Sequence, residues 1–164
     1  MNKKLISILF TVLFLLSFTT SVSAQNVQIE HFSDGSYAIT TIKEQNESNI
    51  SLLSTTKTKT KTTNYYNSDH ELLWYVQVKG TFTYGNGSAK CTDAQISAES
   101  YNSHWKISNR SAKKDGNKAI ATAKAKFYNG NILIKTLDQT VTLTCSSTGG
   151  ECPKVCVNLQ TDVR

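Results

Sequence analysis

The sequence of 164 residues has few features of a catalytic or cofactor-binding protein. It contains neither a Cys-x-x-Cys pair nor a Gly-x-Ser-x-Gly turn, so the local signatures of thiol redox and serine-hydrolase chemistry are missing. Its three histidines, His31, His70 and His104, lie apart in polar surroundings, which predicts exposed residues and not metal ligands. The sequence therefore predicts no catalytic residue, no cofactor and no metal site, and it favours a protein that is not an enzyme.

The N-terminus has the plan of a secretory signal peptide. Lys3 and Lys4 precede an apolar run over residues 5–18, and residues 22–24 (Val-Ser-Ala) form a small-residue cleavage site. The run has 14 residues, fewer than the roughly 20 that span a bilayer as a helix. We therefore expect residues 1–24 to be removed, and the mature chain to be secreted and extracellular without a transmembrane segment.

The mature chain is expected to be a mildly basic single domain. Removal of the first 24 of 164 residues leaves 140, with 16 basic and 12 acidic side chains and a net charge of about +4. This balance allows attraction to anionic polymers without requiring it. No nucleic-acid-binding motif is present, and nucleic acid is not an expected partner.

The fold class follows from the stretch LLWYVQVKGTFTY at residues 72–84. Trp74, Val76, Val78 and Phe82 alternate with mostly polar residues, a period of two that is typical of a strand with one buried face. Such a strand needs a second layer. Seven or eight strand-like runs predict an all-β, two-sheet antiparallel sandwich, immunoglobulin-like in general architecture, with an N-terminal hairpin.

The predicted organisation has four parts. Residues 1–24 are the signal peptide, residues 25–54 an N-terminal hairpin and linker, residues 55–148 the sandwich domain, and residues 149–164 a cysteine-containing tail. The hairpin turn is placed at Asp34-Gly35, and residues 44–54 are read as a polar linker or loop.

Two runs place lysines on one face of a strand. They are Lys57, Lys59 and Lys61 in TKTKTKTT, and Lys118, Lys124 and Lys126 in KAIATAKAKF. The first run is typical of an edge strand whose lysines prevent sheet-to-sheet aggregation. The alternative is that both runs form a basic surface that contacts an anionic cell-wall polymer or membrane.

The second run also has alanines at every second position. On a helix this spacing would spread the alanines around the whole surface, so the run is predicted to be a strand with one face of small residues.

Four cysteines remain after export. They are Cys91, Cys145, Cys152 and Cys156. An even number in an exported chain favours disulfides, with three possible pairings. We favour Cys91 with Cys145, because each lies at the edge of a strand-like run, and Cys152 with Cys156 in the tail. A zinc site that uses Cys145, Cys152, Cys156 and a histidine is the weaker alternative.

Four stretches resemble a family of small exported proteins of Gram-positive bacteria, mainly clostridia and their relatives. They are KTKTTNYYNSDHELLWYVQVKGTFTYGNGSAKC, SYNSHWKISN, KKDGNKAIATAKAKFYNG and TVTLTCS. The resemblance covers residues 34–146 and implies a secreted β-sandwich, but it implies little about activity. Cys91 and Cys145 match the cysteine pair of this family, whereas Cys152 and Cys156 lie outside its pattern.

The functional expectation is a non-catalytic secreted module at the cell surface. Its partner is expected to be an anionic wall polymer, a glycan or another protein. A membrane-active or antagonistic toxin is one alternative, although no exposed apolar stretch is evident in the sequence, and an enzyme of unrecognised type is another. Tyr65, Tyr66, Tyr101 and Tyr128 lie in predicted turns, where packing against neighbouring strands is favoured over a ligand platform.

Overall fold

The computed structural model describes residues 27–50, 55–150 and 158–163, and these residues form nine strands and no helix. In chain order the strands are β1 (Val27–His31), β2 (Tyr37–Ile50), β3 (Thr55–Tyr66), β4 (Leu72–Gly85), β5 (Ser88–Ser100), β6 (Trp105–Asp115), β7 (Lys118–Asn129), β8 (Ile132–Thr144) and β9 (Asn158–Val163). The predicted all-β class is confirmed.

The strands form two antiparallel sheets that pack as a sandwich. The first has the order β1-β2-β3-β4-β5 and the second the order β6-β7-β8-β9. A short corner at residues 101–104 carries the chain from one sheet to the other. Within each sheet the strands follow one another in chain order, so neither sheet has the Greek-key connections of the immunoglobulin fold. The two-sheet prediction is confirmed, and the immunoglobulin-like topology is not found.

Two segments extend the sheets beyond the predicted strands. Residues 44–50, expected to be a linker or loop, continue β2, and that strand pairs with β3 through Ile50. Within the predicted tail, Asn158–Val163 forms β9 and pairs with residues 135–140 of β8. The N-terminal hairpin is therefore part of the first sheet and does not project from it.

The core lies between the alternating faces of β4 and β7. Trp74, Val76, Val78 and Phe82 are buried on β4, as their period of two predicts. The alanines at positions 119, 121, 123 and 125 are buried on β7 and face the first sheet, so the predicted face of small residues is confirmed.

The two sheets are in close contact near Gly80. A Cβ atom at this position would lie 2.7 Å from the Phe82 ring and 2.8 Å from Cβ of Ala119. Both distances are shorter than a van der Waals contact, so only glycine fits here without movement of β7 or of the Phe82 ring.

The prediction that Lys57, Lys59 and Lys61 lie on an edge strand is wrong. Lys59 and Lys61 are buried, with relative exposures of 0% and 3%. β3 is the central strand of the first sheet, between β2 and β4, so its lysines cannot protect an edge. They point into the sandwich, and the threonines between them take the outer face.

The buried lysines are held by ion pairs and by the facing sheet. Lys59 Nζ lies 2.9 Å from Glu44 Oε1, and Lys57 pairs with the other carboxylate oxygen. Lys61 Nζ donates to the carbonyl oxygen of Thr142 on β8 at 2.9 Å. Partial burial alone would raise the pKa of Glu44, but hydrogen bonds and charges from Lys57 and Lys59 outweigh it and lower that pKa.

The predicted disulfide between Cys91 and Cys145 is not present in the structure. Both residues are buried and border the same β6–β7 turn, where their amides donate to the carbonyls of Gly116 and Asn117. Each sulfur donates to a nearby backbone carbonyl: Cys91 Sγ to that of Asp93, and Cys145 Sγ to that of Ser146. Burial raises the pKa of Cys91. The predicted Cys152–Cys156 pair lies outside the described residues.

We predict that Gly80→Ala lowers the free energy of unfolding by about 1 to 3 kcal/mol, the usual cost of overpacking a core. Urea denaturation monitored by circular dichroism measures this change. Gly150→Ala is the matched control, because its nearest contact is the flexible Ser146 hydroxyl at 3.3 Å. Equal stability of the two variants would show that the sheets are not in tight contact at Gly80.

We also predict that Glu44→Gln lowers the free energy of unfolding by about 2 to 4 kcal/mol, because it leaves the Lys59 ammonium buried without its counter-ion. The double variant Glu44→Gln/Lys59→Met should recover most of this loss, since it removes both charges. Glu99→Gln, at an exposed position of β5, is the control.

The same ion pair should make stability depend on pH. The folded-state pKa of Glu44 is lowered, so its contribution is complete above the unfolded value of about 4.5 and disappears as pH falls through the lower folded value. Unfolding free energies measured between pH 7 and pH 3 should therefore fall less steeply in Glu44→Gln. Parallel pH profiles for the wild type and this variant would contradict the role of the pair.

Candidate functional site

A cleft of about 820 Å³ opens between the two sheets at the end of the sandwich that is far from Gly80. Its apolar lining consists of Phe32, Tyr65, Tyr66, Leu73, Trp74, Trp105, Phe127, Ile134 and Leu137. Its polar lining consists of Ser33, Asp34, Ser36, Asn67, Ser68, Asn102, His104 and Lys135. A volume of this size and a mixed, mainly apolar wall are typical of small-ligand sites.

The cleft forms where bulky rings replace the small residues of the core. On β7 the alanine face ends at Ala125, and the next inward residue is Phe127, whose ring centroid lies 5.3 Å from that of Trp105. On β4 the corresponding position is Trp74, which lies 5.7 Å from Trp105. The two sheets therefore separate toward this end, and the rings line the space between them.

The rings form a continuous series that joins the two sheets. From Phe32 the series continues through Tyr65 at 6.4 Å, Trp74 at 3.7 Å from Tyr65, Trp105, and Phe127. We call these five side chains the aromatic series. Within the series, Tyr65 and Trp74 are buried, whereas Trp105 and Phe127 are half-buried and accessible from the cleft.

A buried hydrogen bond fixes the base of the series. The Tyr65 hydroxyl on β3 donates to Oε1 of Gln139 on β8, and Gln139 Nε2 donates to the Thr140 carbonyl at 3.1 Å. Burial raises the pKa of Tyr65, so the phenol stays protonated and keeps its role as donor. This contact links the two sheets directly below the cleft.

The polar rim comes from turns that are ordered by their own side chains. In the β1–β2 turn, Asp34 Oδ1 accepts from the Ser36 amide at 3.1 Å, and Lys135 of β8 lies 3.8 Å from the same carboxylate. In the β3–β4 turn, Asn67 Oδ1 accepts from the amides of Asp69 and Glu71. These local bonds position the rim before any ligand arrives.

The corner between the sheets completes the rim. Asn102 Oδ1 accepts from the His104 amide at 2.9 Å, and His104 Nδ1 lies 3.1 Å from the carbonyl oxygen of Tyr128. The His104 ring also packs 5.9 Å from Phe127. The corner thus brings an amide and an imidazole next to the aromatic series.

Asp34 supplies a carboxylate that remains ionised. The hydrogen bond from the Ser36 hydroxyl outweighs the effect of partial burial, and together with the charge of Lys135 it lowers the pKa of Asp34. An ionised carboxylate is a strong hydrogen-bond acceptor.

Among residues 27–50, 55–150 and 158–163, no three His, Cys, Asp or Glu side chains are grouped closely enough to hold a metal ion.

The structure does not bring the two lysine runs together. Lys118, Lys124 and Lys126 lie on the outer face of the second sheet, opposite its buried alanines, and Lys124 is paired with Asp138 at 3.1 Å. The first run lies inside the sandwich, with Lys57 half-buried. The expected continuous basic surface is therefore absent from the described parts of both sheets, and neither run lines the cleft.

The cleft residues were not predicted as a site. Phe32, Tyr65, Trp105 and Phe127 are far apart in the chain, and only the fold brings them together. Their local signals are the Asp34-Gly35 turn and the NSHW corner, each of which places an aromatic residue beside a polar turn.

Comparisons of the chain with protein-family models, with curated proteins and with solved structures find no match in any of the three. The residues that the structure describes form no helix that is long and apolar enough to cross a membrane.

Proposed function

We propose that this chain is an exported, non-catalytic binding module of a Gram-positive bacterium that holds a surface glycan in the aromatic cleft. The observation that carries the proposal is the aromatic series, which opens to solvent at Trp105 and Phe127 beneath a rim of hydroxyl, amide and carboxylate groups. The plan of the N-terminus supports export.

A glycan matches both components of the cleft. A sugar ring presents a flat apolar C–H face and a polar edge of hydroxyls, and aromatic rings such as Trp105 and Phe127 offer the large flat surface that the apolar face needs. The hydroxyl edge needs donors and acceptors at a fixed distance from that surface. On three separate turns, Asp34 offers Oδ2 as an acceptor, and the side-chain amides of Asn67 and Asn102 offer N–H donors that the turns do not use.

The state of Asp34 does not suit it to act as a general acid. A carboxyl group that protonates a leaving group needs a raised pKa, and the pKa of Asp34 is lowered by Ser36 and Lys135. An ionised Asp34 next to Lys135 instead accepts hydrogen bonds from ligand hydroxyls. Binding of an anionic polymer by the lysine runs has less support, because Lys59 and Lys61 are buried.

Intrinsic fluorescence offers a direct test, because the two tryptophans of the chain, Trp74 and Trp105, both line the cleft. The mature chain should change its emission on titration with soluble glycan strands released from Gram-positive peptidoglycan by amidase digestion.

Asp34→Asn, a change on an exposed turn, should weaken binding about tenfold in the same titration. This is the loss expected for one charge-assisted hydrogen bond.

Trp105→Ala should weaken binding by about tenfold or more through loss of stacking, measured by calorimetry because the variant lacks one of the two tryptophans that report binding. Tyr101→Ala is the matched control, since Tyr101 is 62% exposed and lies outside the cleft. Equal affinities for these two folded variants, or no binding by the wild type, would reject the cleft as a glycan site.

A further inference from the structure

The β7–β8 hairpin ends in an exposed apolar tip, which we define as residues 129–134. Ile132, Leu133 and Ile134 have relative exposures of 68%, 43% and 42%. Ile134 is an extra residue of β8, because Phe127 pairs with Lys135 and Tyr128 with Leu133. Ile132 and Leu133 pair regularly with Asn129 and Tyr128 and point to opposite faces, so their exposure means that both faces of the hairpin end are uncovered. A Cβ atom at Gly130 would meet no atom within 4 Å. The turn and the two residues Ile132 and Leu133 are therefore open to solvent.

The composition of the tip is unusual for its position. Its turn, Asn129-Gly130, is polar as expected, but three large aliphatic side chains follow directly. Exposed aliphatic residues that occur singly need no explanation, whereas a contiguous group at an exposed turn is typical of an interaction surface. The chemistry of the surrounding residues indicates the partner.

Cations and a tyrosine surround the base of the tip. Lys106 Nζ lies 5.0 Å from the centre of the Tyr128 ring, and Lys106 is directly opposite Lys126 on the neighbouring strand. Two like charges directly opposite each other on neighbouring strands destabilise the pairing of those strands, and an anion bound near both lysines would reduce their repulsion. Lys135 lies on the other side of the hairpin, opposite Phe127.

We propose that the tip is a membrane-docking wedge that inserts into the surface of an anionic lipid bilayer. The three aliphatic residues extend over about 7 Å of strand, which matches the insertion depth of about 5 to 10 Å seen for interfacial apolar elements. Tyr128 then lies at the level of the headgroups, where tyrosine is enriched, and Lys106 and Lys126 face the lipid phosphates.

Docking of this kind orients the cleft but does not depend on its ligand. Ile134 and Lys135 belong both to the hairpin and to the cleft wall, so the cleft opens beside the inserted tip. Ile132 and Leu133 are absent from the lining, and changes at these two positions therefore separate docking from glycan binding.

The test is cosedimentation of the mature chain with vesicles of equal parts phosphatidylglycerol and phosphatidylcholine. Ile132→Ser/Leu133→Ser should weaken binding by at least about tenfold, through loss of apolar burial. Val27→Ser/Ile29→Ser is the matched control, since both residues are 54% exposed on β1 and should leave binding unchanged. Lys106→Gln and Lys126→Gln should each weaken it roughly fivefold, and 1 M salt should weaken it further.

Insertion itself is measured by replacing Ile132 with Trp, an exposed change that does not disturb the core, and by quenching its fluorescence with bromine-labelled lipid. Quenching is expected to be much stronger than in the wild type, whose only tryptophans are Trp74 and Trp105. Absence of vesicle binding, equal losses in the two double variants, or lack of quenching would overturn the wedge. In each case glycan binding by Ile132→Ser/Leu133→Ser should equal that of the wild type, so failure of docking is distinct from failure of the cleft proposal.

Discussion

The close contact of the two sheets at Gly80 and Ala119 is the constraint on which the rest of the structure depends. A missing side chain on β4 and a row of alanines on β7 allow the sheets to approach there, and Phe82 fills the remaining space. At the other end of the same two strands, Trp74 and Phe127 take the equivalent inward positions and separate the sheets. The cleft is thus the consequence of a gradient in side-chain volume along one pair of facing strands.

The β3 side of the interior is held by a different kind of interaction. Lys59 and Lys61 carry charge into a region that aliphatic residues usually fill, and the Glu44 carboxylate and the Thr142 carbonyl compensate for it. Tyr65, farther along the same strand, makes the equivalent polar link to Gln139. Directional contacts of this kind fix how β3 sits on β8, and so they determine the position of the aromatic series at the base of the cleft.

Period-two patterns predicted much of the fold, because alternation on β4 and β7 reflects burial of one face. The same pattern could not show which face of β3 is buried, since lysine and threonine are both polar. The register with β4 decides the question, because it pairs Lys59 with Gly80 and Lys61 with Val78 on the face that packs against the second sheet. The cleft could not be predicted either. Its walls come from Phe32, Tyr65, Trp105 and Phe127, which no local motif connects. The exposed tip follows a turn that was predicted, but its exposure depends on what the rest of the fold places beside it, which the sequence of the hairpin does not contain.

The claim that the cleft is the ligand site is tested most directly by amide chemical-shift mapping of the ¹⁵N-labelled mature chain during titration with soluble peptidoglycan glycan strands. The account predicts that perturbed amides cluster in the three turns of the rim, at Ser33 to Ser36, at Asn67 and Ser68, and from Asn102 to Trp105. Perturbations confined to the outer face of the second sheet, around Lys118 and Lys124, would contradict it and would assign binding to the exposed lysines instead.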